Sequence, residues 1–127
     1  MSEQRVESPL LESVADLVDY FRSGEKGRDA FRVGTEHEKI GVYTDGDHQR
    51  VPYEGERGIG AVLERVAAID DWQRVYEDEK LIALLKNGAS ITLEPGGQIE
   101  LSGAPLRTLR ETCREFNDHV ELLKRAS

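Results

Sequence analysis

Two glutamates stand two residues apart in the stretch Arg32–Tyr43, RVGTEHEKIGVY, and two more in ITLEPGGQIELSGAP, residues 91–105. These four, Glu36, Glu38, Glu94 and Glu100, are the side chains of this sequence best suited to chemistry. On an extended backbone successive side chains alternate, so Glu36 and Glu38 project from one face about 6 to 7 Å apart. Glu94 and Glu100 fall on the polar face of a hairpin. Were the two surfaces to meet, four carboxylates would crowd one cavity, and an unpaired buried carboxylate costs several kcal/mol. Only water, bases or hard cations balance such a cluster. Mg2+ is the natural counter-ion, because it takes carboxylate oxygen and keeps positions open for phosphate. The alternation by itself also suits a solvated face of an acidic sheet. The segment EPGGQIELSGAP, with three glycines and two prolines in twelve residues, tips the balance toward a site, since it indicates backbone held close to something.

The elements that must position these residues read as α+β, an antiparallel sheet with flanking helices. Leu10, Val14, Leu17, Val18 and Phe21 recur at helical spacing, with Ser8 as a cap, Pro9 in the first turn and Gly24 as a stop. Residues 30–43 are β-like, Thr44–Asp47 is turn chemistry, and a short strand over 48–53 is expected to return beside them. Ile59, Val62, Leu63 and Val66 mark a second helix ending near Trp72. A three-stranded meander follows over 80–102. Asn87-Gly88 suits a two-residue type I′ turn that sets Leu84 against Ile91. A three-residue loop, Pro95 to Gly97, pairs Leu93 with Ile99, Glu94 with Gln98 and Thr92 with Glu100, whereas a two-residue loop would mix charge into the apolar side. One face then carries Ile82, Leu84, Ile91, Leu93, Ile99 and Leu101, and the other Thr92, Glu94, Gln98, Glu100 and Ser102. A long helix closes the chain, its expected buried stripe being Leu106, Leu109, Cys113, Phe116, Val120 and Leu123.

The 127 residues, 38% hydrophobic and 33% charged, describe one globular domain. A net charge of −8 opposes phosphate backbones and anionic lipid, so neither nucleic acid nor membrane is an expected partner. No apolar run is long enough to span a bilayer and no signal-peptide pattern opens the chain, from which a cytoplasmic location is expected. The single Cys113 agrees with a reducing compartment. There is no GxxxxGK[ST] or GxSxG, and GERGIG at 55–60 is not the dinucleotide fingerprint. His37, His48 and His119 show no metal-ligand spacing and read as structural or exposed.

GTEHEKIGV at 34–42 together with NGASITLEPGGQIELSGAPL at 87–106 resembles the N-terminal part of glutamate-cysteine ligases of the plant and proteobacterial type. The resemblance implies a glutamine-synthetase-like catalytic fold, in which an antiparallel sheet forms a bowl for glutamate, cysteine, ATP and magnesium. It also implies the chemistry: ATP phosphorylates the γ-carboxylate of L-glutamate, and the amine of L-cysteine displaces phosphate to give γ-glutamylcysteine, the first step of glutathione biosynthesis. On matching motif positions Glu36 and Glu38 become metal ligands, Glu94 and Glu100 face the same metal and nucleotide site, and Gln98 is a polar neighbour. No nucleophilic side chain is required, because phosphoryl transfer depends on positioning and charge neutralisation. Family members run to several times this length, so residues 1–127 are expected to be an N-terminal fragment, inactive without the remainder of the ligase. Two alternatives stay open: a related carboxylate-amine ligase with another amine acceptor, and a non-catalytic binding module.

Overall fold

A computed structural model describes residues 10–127, which divide after Phe31 into two compact units. The first contains helix α1, Val14–Ser23, and a single 3-10 turn, Arg28–Ala30. Ser13 caps α1 in a reciprocal box. Its hydroxyl accepts from the Asp16 N–H (3.3 Å) and the Asp16 carboxylate accepts from its own N–H (2.7 Å). Gly24 ends the helix as expected, but the start is corrected: Ser8 and Pro9 lie outside the described residues, Leu10 precedes the helix, and Ser13 rather than Ser8 is its cap.

The second unit, Arg32–Ser127, is built on five strands: β1 (Glu36–Ile40), β2 (Gln73–Glu77), β3 (Lys80–Lys86), β4 (Ala89–Glu94) and β5 (Gln98–Ser102). They pair antiparallel in the order β1-β5-β4-β3-β2. Helices α2 (Ile59–Asp70) and α3 (Leu109–Ala126) supply the remaining core. Leu63 and Val66 of α2 meet Leu84, Ile91 and Leu101 of the sheet, all closed to solvent, and Leu122 and Ala126 of α3 complete the cluster.

The hairpin arithmetic of the sequence holds. Asn87 (φ 51°) and Gly88 (φ 83°) both take the left-handed conformation a type I′ turn needs, and Leu84 pairs with Ile91. The second turn has three residues, and Leu93–Ile99, Glu94–Gln98 and Thr92–Glu100 are partners.

Three expectations are corrected. Strand β2 was not anticipated, because its turn to β3 is made by Asp78 (φ 44°) and Glu79 (φ 66°), and Glu79 stands where such a turn usually has Gly. A bulge accompanies it. Tyr76 pairs with Leu81 and Val75 with Ala83, leaving Ile82 as the extra residue, so Leu81 rather than Ile82 is buried at that point. Helix α3 is turned relative to its expected stripe: Thr112, His119, Leu122 and Ala126 are buried, while Cys113, Leu109 and Phe116 are exposed. Local hydrogen bonds allow this. The Thr112 hydroxyl donates to the Leu109 carbonyl (2.9 Å), and Glu115 accepts from the Ala104 N–H (2.8 Å), pinning a polar face of the helix inward. The expected returning strand over 48–53 is reduced to one bridge, Val42 with Arg50.

Candidate functional site

The sheet register decides where the four glutamates stand. Glu38 is directly opposite Glu100, and Glu100 is directly opposite Thr92. One step along, Ile40 faces Gln98 and Gln98 faces Glu94; one step back, Glu36 faces Ser102 and Ser102 faces Ser90. Antiparallel partners share a face. Glu36, Glu38, Glu94, Glu100 and Gln98 therefore lie on one surface, across three adjacent strands, opposite the surface that carries Leu84, Ile91 and Leu101.

Two of the carboxylates are tethered. Ser102 Oγ donates to Glu100 Oε1 (2.7 Å) and Thr92 Oγ1 to Glu94 Oε1 (2.9 Å), each from a same-face neighbour two residues away. Glu36 and Glu38 are exposed and have no hydrogen-bond or ion-pair partner among the described residues. Gln98 Nε2 reaches the Pro95 carbonyl at 3.5 Å. Among the described residues no group of three or more His, Cys, Asp or Glu is close enough to hold a metal ion. The donors share a surface without converging on one point.

The glycines of the EPGGQIELSGAP segment have specific neighbours. Gly96 (φ 83°) and Gly97 (φ 76°) turn the chain from Glu94 to Gln98, and a Cβ on Gly96 would lie 2.8 Å from Arg50 Nη2. Gly103 donates its N–H to the Thr35 carbonyl (2.7 Å), and a Cβ there would run into the Glu115 carboxylate. Close backbone packing thus locks β5 against β1 and α3, and so fixes Glu100 relative to Glu38.

The histidines belong elsewhere. His37 lies on the helix side of β1, stacked on Phe116 of α3 with ring centroids 4.3 Å apart and Lys39 Nζ 2.7 Å from its Nδ1. Burial, then the Lys39 charge, holds the His37 pKa below its ordinary value. His119 is 4% exposed, neither ring nitrogen has a partner among the described residues, and burial with the nearby Lys39 and His37 pushes its pKa down to about 4. It lines a groove of about 710 Å³ with Trp72, Leu101 and Leu122, on the surface away from the glutamates. That groove shares no residue with the acidic surface.

The match to known proteins covers the whole of this unit. Residues 32–127 match the model of glutamate-cysteine ligase family 2. The chain belongs to that family. Over 109 residues it is 47% identical to the chloroplastic glutamate–cysteine ligase of Medicago truncatula, a stretch that is 86% of this chain and 21% of the relative. The counterparts of Solanum lycopersicum and Arabidopsis thaliana are 46% and 44% identical over the same length, each covered to 20%. The chain spans about a fifth of the length of these relatives.

The relatives are chloroplastic by name, which overturns the cytoplasmic expectation. That expectation rested on the lack of an apolar span and of a signal-peptide pattern, with the single cysteine in agreement, and none of these separates the cytoplasm from the reducing interior of a chloroplast.

Arg50 has no role in the sequence-based expectations, where residues 48–53 are a short returning strand. The signal was available in the alternation with Val51, which packs against the core.

Proposed function

We propose that this chain is the N-terminal part of an ATP-dependent glutamate-cysteine ligase, and that its acidic sheet surface binds magnesium with nucleotide. The whole fold is then glutamine-synthetase-like, with the five-stranded sheet as part of the bowl. The reaction has two steps. The γ-carboxylate of glutamate attacks the terminal phosphorus of ATP and releases ADP; the cysteine amine then attacks the γ-glutamyl phosphate and releases inorganic phosphate. Bound Mg2+ supplies charge neutralisation to the transferring phosphoryl group.

One observation carries the reading: Glu38 directly opposes Glu100. Directly opposed residues of antiparallel strands have Cβ atoms about 4.5 to 5.5 Å apart, and like charges there destabilise a sheet. Glu38 and Glu100 are the residues that would hold a divalent cation here, and its charge would offset that repulsion. Glu36 and Glu94 stand on the same surface, one pair back and one pair along, and either would offer a further oxygen, with water and phosphate as the other ligands such an ion takes. A donor set of this kind is only partly made by protein, which agrees with side chains that do not converge without a ligand. Gln98, between Ile40 and Glu94, can hydrogen-bond nucleotide or substrate without adding charge.

No side chain is assigned as nucleophile or general base. The carboxylates position the phosphates, and the remainder of the ligase supplies the other substrate contacts, so this chain alone is expected not to turn over. The test is made in the longer ligase carrying this sequence. Glu36→Gln or Glu38→Gln should lower γ-glutamylcysteine formation by orders of magnitude with the fold intact, since Gln keeps the volume and removes the charge. Near wild-type turnover of both variants at limiting magnesium would sink the assignment.

A further inference from the structure

Arg50 is separated from the glutamates in sequence and joined to them by the fold. The Tyr43 N–H donates to Gln49 O and the Val51 N–H to Gly41 O, both at 2.9 Å, flanking a Val42–Arg50 pair. Partners in such a pair share a face. Gly41, next to Val42, looks toward the core: a Cβ there would lie 3.1 Å from Ile59 Cδ1 and 3.3 Å from Val51 Cβ. By alternation Val42 and Arg50 look the other way, onto the surface of Glu38, Glu100 and Gln98. The guanidinium lies across the turn from Glu94 to Gln98, where the missing side chain of Gly96 leaves room for it.

Arg50 has no hydrogen bond or ion pair among the described residues, although it stands beside an acidic surface. Other arginines of this unit are committed, Arg57 to Asp45 (3.2 Å) and Arg74 to Glu64 (2.8 Å). Four carboxylates outnumber the charge of one divalent cation, so an incoming polyphosphate or carboxylate meets net negative charge unless a cation stands beside it. A guanidinium is the side chain that meets oxyanions two-pronged and keeps its charge at all working pH.

We propose that Arg50 is an oxyanion-binding residue of this surface, gripping a phosphate oxygen of the magnesium nucleotide or the carboxylate of the amino-acid substrate. This rests on the metal and nucleotide reading above. The fold brings one acidic surface a cation as well as carboxylates, so that metal and anion are held from two sides.

The test uses the chain itself, 15N-labelled, titrated at millimolar concentrations with Mg2+ alone, with Mg2+ and a non-hydrolysable ATP analogue, and with Mg2+ and L-glutamate. Arg50→Ala should leave the response to Mg2+ alone unchanged and weaken one anionic ligand roughly tenfold, the effect of losing one charged hydrogen bond. Arg50→Lys, which keeps the charge and loses the fork, should fall between. Loss confined to the nucleotide analogue identifies phosphate as the occupant; loss confined to glutamate identifies the substrate carboxylate. If Arg50→Ala binds everything like the parent while Glu38→Gln loses Mg2+, the Arg50 assignment is overturned and the metal reading stands. If no ligand perturbs the acidic surface of the parent, or Glu38→Gln changes nothing, the metal reading falls and Arg50 falls with it.

Discussion

On one surface of the sheet Leu84, Ile91 and Leu101 are closed to solvent under α2 and α3; on the other, Ala83, Thr92, Glu100 and Glu38 run across the same strands, partly or fully open to it. The first surface obeys burial. Its side chains interlock and the few polar groups among them are accounted for by local bonds or left orphaned, as His119 is. The second sets Glu38 against Glu100, an arrangement that folding alone would avoid. What the difference teaches is that a sheet stabilised from one side leaves its other side available for residues that oppose stability and serve binding.

The largest expected effect comes from breaching the buried surface. Leu84→Ala, at a site 0% exposed, should cost about 3 kcal/mol in urea unfolding followed by Trp72 emission. Ser90→Ala, close by on the opposite surface, should stay within about 0.5 kcal/mol. Equal costs for the two would erase the distinction between the surfaces.

Acid probes the buried surface differently. His119 has a folded pKa near 4 against an ordinary 6.5, so the unfolded chain takes up its proton first as pH falls. The stability associated with neutral His119 is complete above pH 6.5 and drains away between 6.5 and about 4, by roughly 3 kcal/mol. His119→Leu should remove that part of the acid limb, and since neither ring nitrogen has a partner, its stability at neutral pH should match or exceed the parent's. An unchanged slope between pH 6.5 and 4 in the variant would refute the buried neutral histidine.

A smaller difference separates adjacent residues at the bulge. Leu81, 2% exposed, should lose about 1 to 2 kcal/mol more on truncation to alanine than Ile82, which is only half-buried. Regular alternation would reverse the order, and chemical unfolding of the two variants decides between them.

The smallest effect has the opposite sign. Without divalent metal Glu38→Gln should raise stability by about 0.5 kcal/mol, by relieving the repulsion from Glu100. Adding Mg2+ should narrow the gap by stabilising the parent. A metal-free variant less stable than the parent would show that Glu38 and Glu100 do not repel.

How far this was legible in the sequence depended on what set the geometry. Both turns of the meander were readable because Asn-Gly and Gly-Gly tolerate the left-handed conformation that tight turns need, and register then placed Glu94, Gln98 and Glu100 by counting. The shared face of Glu36 and Glu38 followed from period two. The turn of α3 was not readable: hydrophobic periodicity ranks Leu109 and Cys113 above Thr112 and His119, while the structure satisfies Thr112 locally and buries it. Strand β2 was hidden by a turn whose left-handed residues are Asp78 and Glu79, so that only the finished sheet explains their conformation. For Arg50 the alternation with Val51 made its face legible but not its neighbours, which depend on a single bridge to Val42 and on an absent side chain at Gly96.

Trp72 is the one tryptophan of the sequence, 8% exposed, with Lys86 Nζ 6.0 Å from its ring centroid. It belongs to the unit that begins at Arg32, and the first unit, which holds α1, has none. Tryptophan emission from this protein is therefore a local witness of the sheet core in the second unit, whereas far-ultraviolet circular dichroism sums over all three helices. Should the two units melt independently, the optical traces would part, and each midpoint would describe its own unit rather than the chain.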